Sequence, residues 1–259
     1  MMINQRGFNL IELIVVITVL GIIMAGTASY ITQGMTAYTD TVRREELANV
    51  GRATVERIAR ELRTALPNSI RVNNNCLEFQ PVVAGSAYIT LPLGAPSNTM
   101  SAATFNLPAG GGNRYVVVYP YNTGALYTVS NPGPIIGFNS VSGAPTATIT
   151  FSAAHQFSLA SPYQRFFIVS EPVSFCVVGI ELRRYSSYGL NTVQAAPPAS
   201  GTALLAENIQ TVDNAVTVTP FSYSPGTLKR NAIVDLDLRY FIDGEWIRLT
   251  HEVQIRNVL

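Results

Sequence analysis

The chain has 259 residues, enough for one large domain or two small ones with a sizeable buried core. Charged residues make up only 13% and the net charge is +1, with one lysine, Lys229, among the basic residues and no run of five like charges. That excludes a nucleic-acid partner recruited by bulk charge.

The 47% hydrophobic content is unevenly spread, because much of it lies in one N-terminal block. Met1 to Gly7 is polar with a single cation, Arg6. From Phe8 to Ala28 the residues are almost all apolar, and at about 1.5 Å per helical residue this run covers roughly 30 Å, the hydrocarbon thickness of a bilayer. Ala25-Gly26-Thr27-Ala28 imitates the cleavage site of a secretory signal, but the helical pattern continues beyond it. Glu12 is the only charge between Arg6 and Asp40. A carboxylate in a membrane helix costs a few kcal/mol or more, so such a residue has a partner and a role, or else sits at the membrane edge among headgroups.

From Asp40 the pattern becomes amphipathic without a breaker. Leu47, Val50, Thr54, Val55, Ile58, Leu62 and Leu66 recur at spacings of three and four, which predicts one buried face. Arg52–Glu56, Glu56–Arg60 and Arg57–Glu61 are i,i+4 pairs on the solvated face, and Pro67 is the expected stop. Gly21, Gly26 and Gly34 suit close packing against other helices or a segment able to loosen.

After Pro67 short β-like runs alternate with Gly, Pro, Ser and Asn. Candidate strands are Ile70–Val72, Leu77–Phe79, Tyr88–Leu91, Tyr115–Tyr119, Ala147–Phe151, Arg165–Val169, Phe175–Arg183 and Val216–Phe221. The clearest is a hairpin of Ile233–Ile242 and Trp246–Val253 around Asp243-Gly244, a type I′ turn pair. In its first arm Val234, Leu236, Leu238 and Tyr240 alternate with Asp235, Asp237 and Arg239, so the two aspartates read as a solvated face rather than a calcium site. Phe79 to Gln164 carries one formal charge, Arg114, and this neutral stretch suits subunit packing or a neutral ligand such as glycan. Gly110-Gly111-Gly112 lacks the Lys-Ser/Thr of a phosphate loop and reads as a loop.

Cys76 and Cys176 stand a hundred positions apart, with no CxxC and no histidine pair nearby, which argues against zinc. In an oxidising compartment a single disulfide follows; in the cytosol, two buried thiols. His155 and His251 have no ligand or catalytic pattern around them, and no motif for a cofactor, a metal or a catalytic residue is present. An enzyme is not expected.

The string Arg6-Gly7-Phe8-Asn9-Leu10-Ile11-Glu12-Leu13 resembles the processing site of type IV pilins and type II secretion pseudopilins. The resemblance implies an α+β, type IV pilin-like fold: a long N-terminal helix, transmembrane and then amphipathic, packed on an antiparallel β-rich domain. It implies a prepilin leader at 1–7, a transmembrane and assembly segment at 8–28, an amphipathic half-helix at 29–66 and a periplasmic globular domain at 67–259. It further implies cleavage after Gly7 by a prepilin peptidase, N-methylation of Phe8, and pairing of Glu12 with the Phe8 amine of a neighbouring subunit. Other major and minor pilins and an inner-membrane assembly platform would be the partners. The positive-inside tendency leaves the Arg6 leader in the cytoplasm and everything after the helix in the periplasm, before transfer to the filament at the cell surface. That compartment favours the Cys76–Cys176 disulfide.

The stretch Gly51 to Arg71 and the closing His251 to Val258 are similar to the MshO group of minor pilins of mannose-sensitive haemagglutinin (MSHA) pili. Related segments occur in W-type minor pilins and J-type minor pseudopilins. This resemblance implies a low-copy subunit that initiates or caps a filament; a J-type pseudopilin and a glycan-binding tip adhesin are the alternatives.

Overall fold

The structure is a computed structural model and describes residues 9–213, 216–227 and 230–255. It is α+β: one long apolar N-terminal helix and a large antiparallel β domain. The chain divides into two compact units, Met1–Glu46 and Leu47–Leu259, each described separately below.

Helix α1 runs Leu10–Leu62. No proline interrupts it, and its first turn opens at Asn9, whose carbonyl accepts the N–H groups of Glu12 (3.0 Å) and Leu13 (3.2 Å). In the first unit every residue from Asn9 to Thr39 is exposed. In the second unit α1 buries Leu47, Gly51, Thr54, Val55, Ile58, Ala59 and Leu62, which matches the stripe read from the sequence except at Val50. Val50 is exposed, because the stripe turns through Gly51 and Ala59 instead.

The helix ends at Leu62, short of the expected Leu66. Arg63 and Thr64 form a turn, the Leu66 N–H donates to the Gln80 carbonyl (2.8 Å) and Ala65 bridges Pro81. A strand-type partner has captured the chain here, and it satisfies those backbone groups as well as another helical turn would. The second compact unit begins at Leu47, inside the helix.

The strands follow in order: β1 (Arg71–Asn73) and β2 (Cys76–Phe79); then β3 (Val82–Thr90), β4 (Ser97–Ala103), β5 (Arg114–Val118), β6 (Ile135–Ser142), β7 (Thr146–His155) and β8 (Arg165–Ser170); then β9 (Val173–Val178), β10 (Glu181–Tyr185), β11 (Thr202–Ala206), β12 (Val212–Asp213), β13 (Val216–Thr217), β14 (Phe221–Ser224), β15 (Ala232–Ile242) and β16 (Glu245–Ile255). They form a five-stranded sheet β1-β2-β9-β10-β11, a three-stranded sheet β14-β15-β16, a small β12-β13 pair and a closed barrel β3-β4-β7-β6-β5-β8.

Helix α1 packs its buried stripe into one core with both larger sheets: Leu47, Val55, Ile58 and Leu62 join Leu77, Phe79, Phe175, Val234, Leu236, Leu238 and Tyr240. A Cβ on Gly51 would lie 2.2 Å from Leu249 Cδ1 and 3.1 Å from Tyr240, so glycine permits the close approach of helix to β15 and β16. The β15–β16 turn has Asp243 at φ 47° and Gly244 at φ 89°, the positive-φ pair that a type I′ hairpin demands. Two candidate strands are each broken in two. Phe175–Arg183 turns back at Gly179 (φ 62°) into β9 and β10, and Val216–Phe221 divides between β13 and β14.

The barrel is a single insertion. The chain leaves the five-stranded sheet at the end of β2, winds through six strands, and returns at β9, which pairs directly with β2. Its interior is filled by Tyr88, Met100, Ala102, Val116, Val118, Ile136, Ile149, Phe151, Phe157, Phe166 and Ile168. Barrels of so few strands have room inside only for side chains, and this one is a packed core. A second apolar cluster, Leu66, Val117, Leu126, Tyr127, Ile135 and Val169, seals its outer wall against the chain that follows α1.

Candidate functional site

Within the all-round apolar stretch from Leu10 to Thr39 of the first unit, Glu12 is the one charged residue. Glu12 sits in the first turn of α1, where unpaired backbone N–H groups favour a carboxylate. It is exposed, as are Leu10 (74%), Ile11, Leu13 and Ile14 around it. The threonines that follow bond to their own helix: Thr18 Oγ1 donates to the Ile14 carbonyl (2.9 Å), Thr27 to Ile23 (2.9 Å) and Thr32 to Ala28 (3.1 Å). Their hydroxyls are thereby satisfied without water, which suits an apolar medium. Helix α1 is long and apolar enough to cross a membrane. Leaving such a surface wet is expensive, so lipid or other apolar helices must cover it. A Cβ at Gly21, Gly26 or Gly34 meets nothing within 4 Å, so no neighbour among the described residues requires these glycines. Gly7 and Phe8, the expected processing residues, lie outside the described residues.

Residues 2–28 match the family model described as the prokaryotic N-terminal methylation motif. This motif supports a type IV pilin or pseudopilin, and with the apolar helix it fits a single-pass inner-membrane protein that meets other pilins and the assembly machinery. No curated protein and no solved structure matches the chain.

In the second unit Cys76 and Cys176 form a disulfide with Cα atoms 4.1 Å apart. They are directly opposed partners in the β2–β9 register, so the bond ties the two strands through which the barrel is inserted. Beside it lies a polar network that the sequence reading missed. Glu78, 1% exposed, pairs with Arg71 and accepts the Tyr188 hydroxyl (2.8 Å), which also contacts Ser174 Oγ (2.7 Å). The Arg71 guanidinium donates to the Thr192 (2.8 Å) and Asn191 (2.7 Å) carbonyls and lies 3.5 Å over the Tyr127 ring. Burial and the Glu78 carboxylate push the Tyr188 phenol far above its usual range, so it stays a neutral donor. The only signal in the sequence was an acidic residue inside the apolar run Cys76-Leu77-Glu78-Phe79. Removing one partner of such a pair leaves an uncompensated buried charge.

Neither histidine is placed as a ligand. His155 is fully buried between Phe151 and Phe157, and Nε2 bonds the Gly133 carbonyl (3.0 Å). Burial holds its pKa below the usual imidazole value. Asp237 is engaged by Arg248 (2.8 Å) and Asp235 accepts from Ser222 Oγ (3.1 Å). Among the described residues no group of His, Cys, Asp or Glu is arranged to hold a metal ion.

Proposed function

We propose that this chain is a minor pilin-like structural subunit of a type IV pilus of the MSHA type, acting in pilus initiation or tip assembly. The observation that carries the reading is a first-turn glutamate, Glu12, at the head of an exposed apolar helix and four residues after Phe8 of the Gly7-Phe8 pair. In the mature chain cleavage after Gly7 creates an amine at Phe8, and methylation follows. Glu12 then pairs with the Phe8 amine of a neighbouring subunit. Each charge alone is costly in an apolar filament core, and together they neutralise one another, so the pairing selects the axial register.

The minor, MshO-like assignment rests on the resemblance of Gly51–Arg71 and His251–Val258. A disulfide fits an oxidising periplasm. The N-terminus would stay cytoplasmic while the β domain is periplasmic, and the subunit would later move into the filament. Other pilins, the prepilin peptidase and the assembly platform are its partners, with neither nucleic acid nor cofactor required.

N-terminal sequencing of membrane-extracted protein from cells holding the peptidase is expected to begin at methylated Phe8; an intact Met1 would overturn the reading. Gene neighbourhood separates the pilus from the J-type pseudopilin of type II secretion: haemagglutinin-pilin genes in one case, secretion genes in the other. A second reading, a pilus-tip adhesin for neutral glycans, is favoured by the nearly uncharged barrel. A flat response of the full-length protein on a glycan array counts against it.

A further inference from the structure

The three-stranded sheet ends at β16, and among the described residues β16 pairs with β15 alone. It runs 11 residues, about twice the mean strand length. A long row of backbone N–H and C=O groups therefore lies open along one side. Such an edge is a template for another strand unless something blunts or covers it.

A groove of about 650 Å³ lies beside this edge, between α1 and β16. Val55, Ala59 and Leu249 give it an apolar floor, and Arg52, Arg60 and Arg63 stand along the helix side. Nearby arginines are matched: Arg57 to Glu61 (3.5 Å), Arg184 to Glu61 (2.9 Å) and Arg248 to Asp237 (2.8 Å). Arg52, Arg60 and Arg63 have no carboxylate within 4.0 Å among the described residues. Glu56 is the single acid lining the groove, against three guanidinium groups and His251.

We propose that this groove and the β16 edge receive an extended, carboxylate-bearing segment of another protein. The segment adds as a further antiparallel or parallel strand on β16, and its α1-facing positions, every second residue, carry both apolar side chains for the Val55–Ala59–Leu249 floor and carboxylates for the unmatched arginines. Backbone pairing provides the attachment, and charge selects the partner. A polyanionic backbone such as nucleic acid has no use for an apolar floor or for an open strand edge. The inference rests on the second unit and is independent of how the N-terminus is processed.

Trp246, the only tryptophan in the chain, lies on β16 and is 67% exposed, so its emission reports directly on strand addition. Full-length protein in detergent is titrated with a synthetic peptide in which every second residue is threonine and the positions between alternate valine with glutamate. The comparison probes are the same peptide with lysine for glutamate and the same peptide N-methylated at every residue, which keeps the charges and removes the backbone donors. Saturable change in Trp246 emission is expected with the glutamate peptide, with at least tenfold weaker binding of both others. The variant Arg60→Glu with Arg63→Glu, at two exposed positions, is expected to reverse the preference toward the lysine peptide while keeping the wild-type melting curve. Equal binding of the charged peptides, undiminished binding of the N-methylated one, or no emission change overturns the proposal. So does concentration-dependent self-association abolished by the same charge reversal, which would make the occupant a second copy of this chain.

Discussion

The two halves of α1 share one backbone geometry and meet opposite environments. From Leu10 to Thr39 apolar side chains point in every direction and all are exposed. From Leu47 to Leu62 apolar residues keep to one stripe, and Ile58 and Leu62 are wholly buried. An all-round apolar helix has no use for a single partner sheet, and a striped one needs only that. The first half therefore completes its burial outside the chain, the second within it, and substitutions should register in different assays according to where they fall.

The largest effect is expected at Glu12. Glu12→Ala should leave cleavage after Gly7 largely intact and reduce incorporation into filaments by more than tenfold, measured by immunoblot of sheared pili against membranes. Normal incorporation would remove the role assigned to this carboxylate. Thermal stability of the second unit should not change.

Next in size is the disulfide. By the loop-entropy relation, opening a loop of this length removes about 4–5 kcal/mol. Cys76→Ala with Cys176→Ala should lower denaturant stability by that order while leaving N-terminal processing untouched; an unchanged midpoint would show that packing alone holds the β2–β9 register.

The same truncation in the two helix halves sharpens the contrast further. Ile58→Ala should cost about 2–5 kcal/mol in denaturant unfolding of the full chain in detergent, since it opens a cavity between α1 and the sheets. Ile17→Ala, at a 57% exposed position, should change that unfolding by less than about 0.5 kcal/mol. Equal losses would break the comparison.

The smallest effect concerns acid. His155 is held neutral by burial, so its folded pKa lies below the unfolded value of about 6.5. The unfolded chain then binds the proton more readily, and stability is full above that value and declines as pH falls below it. A melting-temperature profile from pH 7.5 to 5 should slope downward on the acid side, and His155→Phe should flatten that slope. An unaltered slope would assign the acid sensitivity to other groups.

Legibility in the sequence followed the same division. The N-terminal methylation motif, the stripe of Leu47, Val55, Ile58 and Leu62, and the Asp243-Gly244 hairpin were readable because each depends on local spacing or on one residue's φ preference. The barrel was not. Strands β4 (Ser97–Ala103) and β6 (Ile135–Ser142) are rich in Ser, Ala, Asn and Gly, residues of low strand preference, and are held by their neighbours in a closed sheet. The neutral stretch that suggested a contact surface is largely this barrel, and many of its apolar residues face its own interior. The Gly110–Gly112 segment does form a loop, between β4 and β5. Spacing alone places Leu66 in the helix; the Gln80 carbonyl, distant in sequence, decides otherwise.

The neck of the barrel has a mechanical consequence. Tension applied along the backbone reaches Cys76 from one side and Cys176 from the other. The covalent bridge carries that force across a single residue pair. The hundred-residue loop behind it, about 350 Å of chain if drawn out, is withheld from extension. The barrel then hangs beside the line of tension, and whatever its surface meets, it keeps its shape while the rest of the subunit bears the strain.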